Sequence, residues 1–317
     1  PDLRLARDIV KRSDEEQLEM LFGSVPGTLS ELIRTAFIPK DRCRFIVADF
    51  SAIEARVLAW LAGEEWVLDV FRTTGKIYEA TAARIFGVPF ESIVKGNPNY
   101  KYRQRGKVAT LALGYQGGVG AMKRMGGDQL GLDDAGLQDI VDRWRGQNPK
   151  ICKLWRKMQN AAVHTIRTGK TTMPREGVVF RKEMDPACPF PFLTMELPSG
   201  RKLFYADPGT TEDDRITYKE WDSGQWRESE TYGGKLTENL TQAVGRDCLA
   251  FALDNLRREG YEVVFHVHDE VVIEVPKYGS PEGDLQQVVR IMSKVPPWAK
   301  GLPLNAAGWY GDFFTKD

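Results

Sequence analysis

The chain has 317 residues and carries 44 basic and 44 acidic side chains, for a formal net charge of zero. That length buries one large core or two smaller ones. The neutral balance excludes binding of nucleic acid through bulk charge, so any such surface must be local. The four cysteines, Cys43, Cys152, Cys188 and Cys248, stand far apart with no CxxC pair, which argues against a zinc site or a disulfide framework and for reduced thiols in a cytoplasmic protein. No apolar run approaches the length of a membrane span and no signal peptide is read before the first strand, so no membrane partner is expected. The chain opens on Pro1 instead of Met, from which a longer, cut or processed polypeptide is expected.

In chain order, residues 2 to 22 set Leu5, Ile9, Leu18 and Leu21 among charges, the pattern of a surface helix. RFIVADF, 44 to 50, reads as a short apolar strand that ends at Asp49. SAIEARVLAWLAG follows as a helix, with Ile53, Val57, Trp60 and Leu61 at helical spacing, Ser51 as its cap and Gly63 as its stop. Helical patterning continues to about residue 160, interrupted at GVPFES and KGNPN. From about 177 to 235 the pattern becomes strands, in GVVF, RKLFYA, RITYKEW and QWRESETY, with DSG as a hairpin turn. A helix is predicted over about 237 to 258, and VVFHV and VVIEV then flank HDE as a second hairpin.

Three stretches carry chemistry. In HVHDE, alternate residues of a strand share a face, so His266 and His268 are candidates to chelate one metal. The same pentapeptide also reads as a tight hairpin with polar residues at its turn. Asp49 by itself reads as a capping or turn residue, yet two acids at strand ends are what a Mg²⁺ site for phosphoryl transfer requires. From Lys95 to Lys107 there are five basic residues and no acid, which suits a solvated basic face. Arg103, Lys107, Leu111 and Tyr115 also recur at steps of four. On one helix they form a stripe about 18 Å long, the dimension of a nucleoside triphosphate with cations at one end and a stacking ring at the other.

Taken together, DFSAIEARVLAWLAGE, RQRGKVATLALGYQGG and HVHDE resemble motifs A, B and C of the family A, polymerase-I-like DNA polymerases, in order and in spacing. LIRTAFIP and YGGKLTEN are most similar to phage and prophage members. The resemblance implies an α+β, right-hand fold: an antiparallel palm sheet carrying Asp49 and Asp269, with mainly helical fingers inserted between them. It implies palm at 1–65, fingers at 66–176, a β-rich return at 177–235 and palm again at 236–317. It implies template-directed addition of deoxynucleotides to a primer, with a primed DNA template and deoxynucleoside triphosphates as partners, in the cytoplasm of a bacterial or phage-infected cell.

Residue by residue, the resemblance implies that Asp49, Asp269 and the backbone carbonyl of Phe50 hold two Mg²⁺ ions, with Glu270 as an auxiliary acid. Arg103 and Lys107 are expected to bind the triphosphate, Lys107 also donating a proton to pyrophosphate. Tyr115 is expected to stack near the templating position and to form, with Glu54, a steric gate against a ribose 2′-hydroxyl. Arg56, Gln242 and His268 match positions that touch primer or template, which leaves His266 structural. The sequence departs from the family pattern at Leu111, where an aromatic is customary, at Tyr78 for histidine, Ala52 for glutamine, Gln116 for glycine and His266 for glutamine. Family members carry a helical thumb, and often a 3′–5′ exonuclease, upstream of motif A. With 48 residues before Asp49, the thumb is expected to be absent here and supplied by a missing N-terminal portion. A single-subunit RNA polymerase is a rival, against which Glu54 argues. A non-catalytic relative is another, against which the two aspartates argue.

Overall fold

The structure is a computed structural model that describes residues 2–315. Pro1, on which the expectation of processing rests, lies outside the described residues. The chain forms two compact units, one from Pro1–Ser51, Leu249–Lys294 and Leu304–Asp317, the other from Ala52–Cys248 and Val295–Pro303.

The first unit begins with α1 (Leu3–Lys11), α2 (Glu15–Phe22) and α3 (Val25–Leu32). The single surface helix expected over 2 to 22 is therefore two helices. Asp14 accepts the backbone N–H of Gln17 and starts the second, while Ala6, Ile9, Leu18 and Leu32 bury into a small core of their own. β1 (Cys43–Phe50) is central in the sheet that follows, and the second unit then intervenes with α4 (Ile53–Ala62), α5 (Glu65–Thr73), α6 (Ile77–Phe86), α7 (Lys101–Leu113), α8 (Val119–Arg124), α9 (Asp134–Gln147) and α10 (Pro149–Thr168). Its six-stranded antiparallel meander is β2 (Thr172–Arg175), β3 (Val178–Glu183), β4 (Phe192–Glu196), β5 (Lys202–Thr210), β6 (Ile216–Asp222) and β7 (Gln225–Thr231). β2 and β4 were not predicted. TMPR is short and holds a proline, and FLTME follows the turn-like ACPFP, so neither shows alternation long enough to read. α10 packs on β2, β3 and β5.

α11 (Gly233–Arg258) leads back to the first unit, which continues with β8 (Glu262–Val267), β9 (Glu270–Pro276), α12 (Pro281–Met292) and β10 (Ala306–Gly311). Its sheet is antiparallel in the order β10-β1-β9-β8. β10 is the third unpredicted strand. Its Gly308 serves close approach, since a Cβ there would meet the Val47 carbonyl at 2.2 Å. α12 lies against β1 and β10 and buries Val288, Ile291 and Met292. Phe45 and Val47 pack with Val272 and Phe314. β1 is thus covered along most of its length, which is why its sequence is nearly all apolar. The mixed class of helix with antiparallel sheet is as expected.

Candidate active site

In the first unit, Asp49 is the exposed residue of β1, between buried Ala48 and Phe50. Asp49 is the Cα partner of Glu270 on β9, so the two carboxylates leave the sheet on one face. Val267 pairs with Glu270, making His268 and Asp269 a two-residue turn, and the Phe50 N–H donates to the Asp269 carbonyl at 3.3 Å. Strand pairing thus sets Asp49 beside Glu270, and the short turn holds the Asp269 backbone against that of Phe50. His266 is exposed on β8, opposite Val271. His268 takes φ +52, the left-handed region that favours glycine.

The donors gathered here are all oxygens, which suits a hard divalent ion. No group of three or more His, Cys, Asp and Glu arranged to hold a metal occurs among the described residues. Mg²⁺ fits such a partial set, because it keeps several waters and shares its sphere with substrate phosphates.

The cationic residues lie in the second unit. Gly106 lets α7 approach α6 closely, since a Cβ there would meet the Tyr78 carbonyl at 2.2 Å. Arg103, nearly one turn earlier, donates from Nε to Glu79 Oε1 at 2.8 Å and lies over the Tyr78 ring, 5.7 Å from its centroid. Burial pushes the Tyr78 phenol up, and the Glu79 hydrogen bond raises the Arg103 guanidinium. Lys107 is half-buried and has no hydrogen-bond or ion-pair partner among the described residues. Leu111 is 45% exposed.

The stripe is shorter than predicted, because α7 ends at Leu113 and Tyr115 stands beyond it. Tyr115 is instead held by tertiary contacts. Its hydroxyl donates to Glu54 Oε2 at 3.1 Å, and its phenol is pushed well up, first by burial and then by the Glu54 carboxylate. On either side, Trp155 Nε1 donates to the Gly114 carbonyl at 2.8 Å and Arg145 donates to the Gly117 carbonyl at 3.1 Å. Gln116 takes φ +68, the left-handed region, and its Oε1 accepts the Gly234 N–H at 3.1 Å. A Cβ on Gly234 would meet the Tyr115 carbonyl at 2.5 Å, so YGG is needed where this loop meets the start of α11.

Ser51 does not cap α4. The cap is Ala52 at φ +51, with no side-chain hydrogen bond, and Gly63 ends the helix in the left-handed region as expected. Arg56 is buried: it donates to the Pro303 carbonyl at 2.7 Å, stacks 4.2 Å from the Phe71 centroid, and is lowered by burial to about 10. Gln242 is exposed on α11. Glu79 was not anticipated, though an acid directly after Tyr78 and one helix away from the basic run was the available signal.

The family model described as DNA polymerase family A matches residues 24–183. The chain belongs to this family. Like the resemblance read from its motifs, this family A chain is similar to the DNA polymerase of Bacillus phage SP02, with 48% identity over all of its own length and 48% of the phage protein's. It is 33% identical to DNA polymerase I of Pseudomonas aeruginosa over 38% of this chain and 12% of that one. It therefore spans about half the length of the phage relative, or less of the other. The POL domain of Pol1 from M. smegmatis, solved in complex with DNA primer-template and dNTP, superposes with a TM-score of 0.60 at 18% identity, over 89% of this chain and 42% of that one. At that identity the likeness shows the fold, a family A polymerase domain. No helix among the described residues of this family A chain is long and apolar enough to cross a membrane.

Proposed function

We propose that this chain carries the catalytic part of a template-directed DNA polymerase, which adds deoxynucleotides from their triphosphates to the 3′-hydroxyl of a primer on a DNA template. The observation that carries the reading is the pairing of Asp49 with Glu270 across β1 and β9, with Asp269 in the adjoining turn. Asp49, Asp269 and the Phe50 carbonyl would hold two Mg²⁺ ions, with Glu270 in support. When bound, the ions would activate the primer hydroxyl and offset the charge developing on the leaving pyrophosphate.

The chain's own residues do the rest. Arg103 and Lys107 bind the triphosphate, and Lys107 donates a proton to pyrophosphate. Tyr78 and Leu111 contact the incoming nucleotide, at positions where the family customarily has histidine and an aromatic. Glu54, held by the Tyr115 hydroxyl, fills the space beside C2′ and excludes ribonucleotides, which favours DNA over RNA synthesis. Gln242, His268 and Arg56 serve primer and template, Arg56 from its buried position through the structure around it. The similarity to a phage enzyme supports action on DNA in the cytoplasm of an infected bacterium.

Primer extension with Mg²⁺ on a primed DNA template, comparing deoxy- and ribonucleotides, tests the reading. Extension with deoxynucleotides alone is expected; no extension at saturating primer-template overturns it. Duplex affinity rests largely on phosphate contacts from basic residues, many of which the resemblance assigns to a thumb, and these 317 residues span 48% of the phage relative's length. Tested alone, they are expected to bind primed DNA weakly and extend it distributively at physiological salt. An N-terminal portion with a thumb, in cis or as a separate chain, should restore tight binding. Nanomolar Kd with long products from the 317 residues would overturn that part.

A further inference from the structure

The geometry points to Glu79 as a positioning residue that aims the Arg103 guanidinium at the triphosphate. The inference rests on the reading of Arg103 as a triphosphate ligand and says how this chain fixes that ligand's direction.

A guanidinium has five donors in a planar fork, and its two terminal nitrogens together match the oxygens of a phosphate. On a flexible stem, that fork samples many orientations and loses entropy when it binds. In this chain the stem is held. Glu79 accepts from Nε at 2.8 Å, with its own carboxylate side chain only 14% exposed. The Tyr78 ring lies under the same guanidinium, at 5.7 Å. The terminal nitrogens have no hydrogen-bond partner among the described residues. One edge of the group is therefore anchored to α6 and the opposite edge is left for a ligand. The anchoring depends on Gly106, whose missing side chain lets α7 lie against the backbone of α6 at Tyr78 and Ala82.

A carboxylate beside a triphosphate-binding cation also repels the triphosphate. Two variants separate that repulsion from positioning. Glu79→Gln removes the charge and keeps an oxygen able to accept from Nε. Glu79→Ala removes both, and Glu79→Thr, too short to reach Nε, serves in its place should Glu79→Ala fail to fold.

The test is single-nucleotide incorporation at saturating primer-template, with KM for dNTP and kcat measured separately. Glu79→Ala and Glu79→Thr are expected to raise KM about tenfold, the loss of one hydrogen bond to a charged group, with kcat within about twofold. Glu79→Gln should keep KM within about twofold of the parent. In an Arg103→Lys background, which has no fork to aim, Glu79→Ala should add nothing, because the two residues act as one unit. An unchanged or lowered KM in Glu79→Ala, alongside a raised KM in Arg103→Ala, overturns the positioning role. An unchanged KM in Arg103→Ala overturns the triphosphate reading itself.

Discussion

Asp49 and Glu270 are Cα partners across β1 and β9, and Asp269 stands one residue before Glu270 in a two-residue turn. Strand pairing sets Asp49 and Glu270 side by side on one face, and the short turn keeps Asp269 next to Glu270 in the chain. If Asp49 and Asp269 hold the metals, Asp49→Asn and Asp269→Asn should each lower single-turnover extension by roughly 10³-fold or more. Thermal melting should be little changed, since Asp49 is exposed and Asp269 sits in a turn. Near-parental extension by either purified variant would rule the assignment out.

Sugar choice should follow the Glu54–Tyr115 hydrogen bond. If Glu54 is the gate, Glu54→Ala should open space beside C2′ and raise the ribonucleotide-to-deoxynucleotide ratio of kcat/KM by relieving a steric exclusion. Tyr115→Phe removes the hydroxyl that donates to Glu54 and should raise the ratio in the same direction by less. Equal ratios in parent and Glu54→Ala would remove the gate from this reading.

Gln116 gives a prediction about stored strain. Its φ of +68 costs about 1 kcal/mol for a non-glycine residue. Its bond to the Gly234 N–H returns a similar amount. Gln116→Gly exchanges one for the other and should leave stability close to the parent's. Gln116→Ala keeps the strain and loses the bond, and should destabilise by roughly 1–2 kcal/mol in urea unfolding. If alanine proves as stable as glycine, the backbone is not under strain at this position.

Cysteine reactivity should separate one thiol from the others. Cys248 is buried in α11 and its thiol is pushed up to about 12 by burial, whereas Cys43, Cys152 and Cys188 are half-buried. The thiolate is the reactive form, so a disulfide reagent at neutral pH should leave Cys248 unmodified in the folded chain and reach it on unfolding. Rapid native labelling of Cys248 by mass spectrometry would contradict the packing of α11.

The carboxylates were legible in the sequence because their placement is a local matter. An apolar run ending at Asp49, and two β-branched runs around HDE, determine a strand end and a tight hairpin without reference to distant residues. The order of the three motifs and the alternation of helix and strand likewise stated the fold class. What the tertiary structure alone decided depends on contacts between residues far apart. Tyr115 has the spacing of the Arg103 helix yet stands beyond its end, held there by Trp155, Arg145 and Glu54. Arg56, which the resemblance matches to a position touching primer or template, is buried over Phe71 against the Pro303 carbonyl. Glu79 meets Arg103 only because Gly106 brings two helices together. Ala52, Gln116 and His268 adopt left-handed backbones, which their side chains disfavour and only the surrounding packing imposes. Periodicity reports which face of an element is apolar. It carries no information on which distant partner that face meets, since such pairings are set by close packing across the whole fold.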